Sequence, residues 1–212
     1  MVWPCPFVGT AARRCDYLRE NGVMPVQIGQ KKESDFGDPL GLLSDCHRRI
    51  ERFLAVLIKI SQKRNGGTIP DDERASLETA LTYFRNSAPK HTADEEDSLF
   101  PRMRSSEEAA AALECLARLE GDHITAGQDH QIVDSLGQLW LKQGTLSPDQ
   151  SRELSETLER LAALYARHIA IEDQELFPLA GRILDAAELS KVGQEMAQRR
   201  GVASPADSKT AR

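Results

Sequence analysis

One pattern, His-x3-Glu-x3-Leu-Phe-Pro, is written twice in this chain: as HTADEEDSLFP from His91 to Pro101, and as HIAIEDQELFP from His168 to Pro178. The copies are 77 residues apart, and the offset holds well beyond the motif. Leu77, Leu81, Phe84 and Ala88 lead to His91, Glu95 and Leu99 in steps of 4-3-4-3-4-4. Leu154, Leu158, Leu161 and Tyr165 lead to His168, Glu172 and Leu176 in the same steps. Steps of three and four mark one face of an α-helix, so the spacing predicts two long helices whose buried stripe runs through a histidine and a glutamate. A lone histidine precedes each copy: His47 lies 44 residues before His91, and His123 lies 45 before His168. Four of the five histidines therefore belong to a twofold repeat.

The rest of the chain reads as helices separated by short Gly, Pro and Ser breaks. A first helix is expected from Pro39 to Arg64, stopped by Asn65-Gly66-Gly67, with the inward stripe Leu43, His47, Ile50, Leu54 and Leu57. A second starts at Pro70-Asp71-Asp72, with carboxylates in its first turn, and continues past Pro89 to Arg104. Proline in a helix interior removes a hydrogen bond, so Pro89 should kink or split it. A third is expected from Ser105-Ser106-Glu107-Glu108 to Lys142, ending at Gln143-Gly144. A fourth starts at the capping box Ser147-Pro148-Asp149-Gln150 and runs to Leu179. A short last helix, Ala186 to Arg199, is expected to pack across the others or to fray. Short connections force antiparallel neighbours. The predicted fold is all-α, an up-down-up-down four-helix bundle with a short extra C-terminal helix. By composition, residues 1–38 form a flexible N-terminal extension, 39–180 the bundle, and 181–212 a short helix and disordered tail. Met24 is a plausible alternative start.

Composition removes several classes of function. A formal charge of -6, with no Lys/Arg stripe, argues against nucleic acid as a partner. No apolar run approaches the roughly 18 residues of a membrane span. The first 30 residues also lack the basic and continuous apolar regions of a secretory signal, so a cytoplasmic location is expected. Cys5, Cys15, Cys46 and Cys115 form no Cys-x2-Cys pair and read as reduced thiols.

What remains to explain is charge in the core. Positions i and i+4 of a helix share a face, so His91 and Glu95 point to one place, as do His168 and Glu172. Each pair continues an apolar stripe, yet a buried carboxylate is costly unless a cation compensates it. Taken singly, His47 or His123 would be an ordinary core histidine, and one His-x3-Glu pair an exposed ion pair. Their joint repetition points to metal ligation. Two carboxylates from different helices can bridge two cations roughly 3.5–4 Å apart, with the imidazoles completing each ion. The candidate ligands are His47, His91, Glu95, His123, His168 and Glu172, with His47 and His91 on one metal and His123 and His168 on the other as one pairing that the sequence leaves open. Imidazole with carboxylate suits iron, manganese or zinc, and leaves coordination positions free.

Other polar residues near the stripe fit less well. His130 has no counterpart in the first half and is expected not to be a ligand. Tyr165, one turn before His168, is expected to pack in the core. Asp94, Glu96, Asp97, Asp173 and Glu175 fall on other faces and are expected to be solvated. Cys46 points about 100° away from His47 on a helix and is set aside as a ligand.

The paired His-x3-Glu motifs with lone histidines on the intervening helices resemble the hemerythrin-like, HHE cation-binding family, over roughly residues 39–180. The resemblance implies a left-handed four-helix bundle holding two iron ions as a non-haem di-iron centre, oxo or hydroxo bridged, on the six residues named above. Oxygen carriers of that family have a second histidine one turn after the first on the third helix. Here Gly127 stands in that position, which argues against carriage by the carriers' mechanism. The expected function is binding or sensing of dioxygen, nitric oxide or redox state, with a small diatomic or peroxide ligand as partner. The rival readings are a di-iron peroxidase or oxidase, and iron storage or delivery.

Overall fold

The computed structural model describes residues 33–106 and 112–202, all helical where regular among these residues. The long elements are α1 (Pro39–Arg64), α2 (Asp71–Asn86), α5 (Leu113–Gln143) and α6 (Pro148–Ile171). Between α2 and α5 lie α3 (Ala88–Ala93), a π-helical turn π1 (Asp94–Leu99) and α4 (Phe100–Arg104). After α6 come a second π-helical turn π2 (Glu172–Leu176), α7 (Phe177–Ile183) and α8 (Ala186–Arg199). The expectations for residues 1–32 and 203–212, with Cys5, Cys15 and Met24, lie outside the described residues.

Helix ends follow the local chemistry. Asp38 caps α1, its side chain accepting from Gly41 N–H, with Pro39 in the first turn. Asn65 closes α1 in the left-handed conformation (φ 45°), donating its N–H to Ser61 O. Gly66 then takes φ 76°, and its carbonyl accepts from Leu146 N–H, which ties the α1–α2 connection to the start of α6. Ser147 and Gln150 make the expected reciprocal capping box.

The second helix is split near Pro89, one of the two outcomes expected there. Pro89 has no N–H to offer Arg85 O, and the chain breaks at Ser87 before resuming as α3. The expected start of the third helix at Ser105-Ser106-Glu107-Glu108 lies partly outside the described residues; among those described, its α-helix runs from Leu113 to Gln143.

Each long helix packs against the next, α1 on α2, α2 on α5, α5 on α6 and α6 back on α1. Two apolar clusters fill the interior. One holds Leu54, Leu57, Leu81, Trp140, Leu158 and Leu161. The other holds Leu43, Leu99, Phe100, Leu119, Leu176 and Met196, the last from α8. Along α1 the chain passes from Leu43 of the second cluster through His47 to Ile50 of the first, and along α5 from Leu119 through His123 to Ala126. The α3–π1 and α6–π2 segments run from the first cluster, through His91 and Glu95 or His168 and Glu172, to Leu99 or Leu176 of the second. A polar layer therefore separates two apolar ones. No described helix is long and apolar enough to cross a membrane.

Candidate metal centre

All six candidate residues meet in that layer. Two sets of ligand atoms form, His47, His91, Glu95 and Glu172 on one side and Glu95, His123, His168 and Glu172 on the other, each lying within 4.8 Å of one another. Glu95 and Glu172 belong to both sets and are fully buried. His47, His91 and His168 are buried, and His123 is nearly so.

The Nε2 atoms of all four imidazoles face inward. His47 Nε2 lies 3.1 Å from Glu172 Oε2 and 3.8 Å from Glu95 Oε1. His91 Nε2 is 3.4 Å from Glu95 Oε1, and His123 Nε2 is 3.4 Å from Glu95 Oε2. His168 Nε2 is 3.1 Å from Glu172 Oε2. These separations do not carry hydrogen-bond alignment: both oxygens of each glutamate, with Nε2 of His47 and His123, remain unpaired though buried. Buried polar atoms normally find partners, so converging lone pairs without them point at a third body. A metal about 2.1 Å from each ligand holds opposite ligand atoms about 4.2 Å apart, close to the observed clustering. The donor set thus fits one or two cations.

Electrostatics agree with the geometry. Burial pushes the Glu95 carboxyl well above its usual range, with neighbouring Glu172 adding to it. Glu172 moves the other way: against the same desolvation, contacts with His168 and His47 hold it well below. Burial alone would lower His47, but the bond to Asp173 and the contact with Glu172 raise it to about 10. His91, desolvated and beside His47, is pushed well below its ordinary value. Protons on Glu95 and His47 occupy charge-compensating positions that a cation would take over.

Three expectations about neighbouring residues need correction. Glu96 and Asp173 are not simply solvated: Glu96 Oε1 lies 2.8 Å from His123 Nδ1, and Asp173 Oδ1 lies 3.0 Å from His47 Nδ1 while accepting from Ser44 Oγ. With a cation bound, these contacts would keep the imidazole proton on Nδ1 and leave the Nε2 lone pair for the centre. Asp94, also expected in solvent, is fully buried and ion-paired with Arg199 and Arg200, because α8 packs over π1. Asp97 and Glu175 are exposed as expected. The phenylalanines of Leu-Phe-Pro were unassigned by sequence, yet Phe177 stacks on His47 (5.4 Å) and Phe100 on His123 (6.3 Å). Each motif therefore holds, with an acid and an aromatic ring, the lone histidine of the other half. The signal was present: Glu96 to Asp173 and Phe100 to Phe177 keep the 77-residue offset.

His130 belongs to neither ligand set. Its Nε2 lies 2.9 Å from the Tyr165 hydroxyl, its ring stacks on Phe84, and burial lowers it to about 4. Tyr165 is buried beside His168, and Cys46 is buried but outside both sets. The His130–Tyr165 pair lines a cavity of about 420 Å³ that reaches the four imidazoles past Leu81, Phe84, Ala126 and Gly127. A Cβ added at Gly127 would meet nothing within 4 Å.

A family model described as the hemerythrin HHE cation binding domain matches residues 38–180. The chain belongs to this hemerythrin-like, cation-binding family. It is also similar to a protein of Haemophilus influenzae described only as uncharacterized, 27% identical over 168 residues that span 79% of this chain and 92% of that one.

Proposed function

We propose that this protein is an up-down-up-down four-helix bundle holding a non-haem di-iron centre, which binds or senses dioxygen, nitric oxide or redox state in the cytoplasm. One iron would be held by His47 and His91 and the other by His123 and His168, with Glu95 and Glu172 shared. The observation that carries this reading is the sharing itself: Glu95 turns one oxygen to His47 and His91 and the other to His123, while Glu172 Oε2 faces both His47 and His168. Bound iron supplies an open coordination position and an accessible redox change. The protein's own part is to fix the tautomers of His47 and His123 through Nδ1, keep two carboxylates dry, and leave the approach beside Gly127 clear.

The cavity favours a second reading, a small di-iron peroxidase or oxidase, because a space of about 420 Å³ exceeds what a diatomic ligand fills. Iron storage is the weakest reading, since one buried centre has little capacity. Metal analysis of protein purified from its own host, with an optical spectrum of the oxidised form, tests the proposal. Two irons per chain with oxo-to-iron charge transfer are expected. Zinc alone at full occupancy, or two irons per chain surviving Glu95→Ala, overturns it. A stable, reversible adduct with dioxygen or nitric oxide supports binding, and repeated peroxide consumption with a reducing substrate supports the enzyme.

A further inference from the structure

The charged cluster between π1 and α8 has no counterpart in the other half of the repeat. Asp94 precedes Glu95 directly and has no exposed side-chain surface. Arg199 pairs with its Oδ1, and Arg200 Nη2 lies 2.6 Å from Oδ2 with Nη1 3.1 Å from Oδ1. The same turn is tied to α8 again where Arg199 Nη2 donates to Ser98 Oγ at 2.7 Å, and α4 just after it where Arg102 holds Glu195 through both terminal nitrogens at 2.8 and 3.0 Å. The position 77 residues after Asp94 is Ile171, an apolar residue packed in the second cluster. Residues 186–200, which supply the arginines and Glu195, lie beyond the family match at 38–180.

π-helical turns are rare, single-turn features frequent at functional sites. In π1 the Phe100 N–H donates to Glu95 O, so the turn that Asp94 opens carries the shared carboxylate itself. The guanidinia are about four-fifths buried, at 23% and 22% exposure, so the pairs are little screened by water. Turning Glu95 out of the centre would drag Asp94 off both arginines.

We infer that the C-terminal helix is a positioning element of the centre: Arg199 and Arg200, acting through Asp94, fix the orientation of Glu95 toward both imidazole pairs. The inference rests on the reading of Glu95 as a shared ligand. It makes the ligation of both sets by Glu95 dependent on residues beyond the matched 38–180, whereas Glu172, preceded by Ile171, has no such charge pair.

Cobalt(II) titration of the metal-free full-length protein tests this, with stoichiometry, affinity and the visible ligand-field spectrum as readouts beside thermal stability. Asp94→Asn is expected to weaken cobalt binding about tenfold, the range for groups that orient metal ligands, and to change the spectrum. Leu57→Ala, a cavity in the distant apolar cluster, serves as the control for lost stability and is expected to change neither. Arg200→Gln, which leaves the Arg199 pair in place, should shift both readouts in the same direction by less, and it carries the test if Asp94→Asn does not fold. Arg200→Lys should restore much of the loss. If Asp94→Asn and Arg200→Gln lower stability while affinity and spectrum stay at wild-type values, or act as Leu57→Ala does, the inference is overturned. Two tightly bound cobalt ions in Glu95→Gln would instead overturn the shared-carboxylate reading.

Discussion

Asp173→Ala should weaken metal binding by the His47 side of the centre even though Asp173 belongs to neither ligand set. The structure sets the size of the effect. His47 Nδ1 sits 3.0 Å from Asp173 Oδ1, and that oxygen also accepts from Ser44 Oγ at 2.8 Å, so the carboxylate is held in place before it orients the ring. Removing such a partner typically costs 10–100-fold in metal affinity, about 1.4–2.7 kcal/mol. Asp173 is 31% exposed, so water can replace part of the lost bond, and the lower end, about tenfold, is expected. Glu96→Ala should act equally on His123, since Glu96 is 34% exposed at 2.8 Å. The effects should cross the halves of the repeat: the residue from the second motif weakens the His47 side, and the residue from the first motif weakens the His123 side. Competition of cobalt(II) against a chelator of known affinity, with His47 and His123 followed separately by paramagnetically shifted imidazole N–H resonances, reads both numbers. Affinity within twofold of wild type in both variants, or loss confined to the half that carries the mutation, would refute the reasoning.

Other perturbations probe the frame around the centre. Trp140→Ala removes a side chain only 1% exposed whose indole N–H donates to Gly67 O, and should cost about 3–5 kcal/mol in urea unfolding while leaving metal content unchanged. Gly193→Ala should cost more than Gly137→Ala in thermal unfolding, because the new methyl would stand 2.0 Å from the Phe36 carbonyl oxygen, which is backbone, but 2.6 Å from Leu81 Cδ1, which can rotate away. His130, lowered from 6.5 to about 4, stays neutral in the folded protein while the unfolded chain takes up a proton. Its share of stability is therefore full above pH 6.5 and falls by about 3 kcal/mol as pH drops toward 4, so His130→Phe should flatten that part of the stability profile.

Where the pattern is regular, the fold was legible. Pro39, Arg64, Ser147, Ala186 and Arg199 end helices where caps and breakers place them. The stripe through His47, His91, Glu95, His123, His168 and Glu172 was legible for the same reason: a carboxylate repeated on a buried face has few explanations. The surroundings were harder because they depend on which helix lies opposite. Nothing in the local sequence says that Glu96 faces His123 across the bundle, or that α8 folds back to bury Asp94 under two arginines. Helical phase put those acids off the stripe correctly; it does not say whether the neighbouring face meets water or another helix.

The two π turns were missed for a different reason, although their trace is in the stripe. The final steps, His91 to Glu95 to Leu99 and His168 to Glu172 to Leu176, are 4-4, and eight residues advance about 80° past two full turns of α-helix. In a regular helix Leu99 would leave the core face that His91 occupies. Both turns absorb the excess at the same place, with Phe100 N–H bonded five residues back to Glu95 O and Phe177 N–H to Glu172 O. Pro101 and Pro178 follow immediately, and a proline ring clashes with the carbonyl four residues before it and offers no N–H. The wider turn relieves that clash, which gives the trailing Leu-Phe-Pro a role in aiming the glutamate. Pro101→Ala restores the donor and lets the segment close to α-helix, so it should lower metal affinity without lowering the metal-free protein's stability. Hydrogen exchange should then show a newly protected amide at position 101. If stability and affinity fall together and position 101 stays unprotected, the proline matters for packing, and the π turn is held by something else.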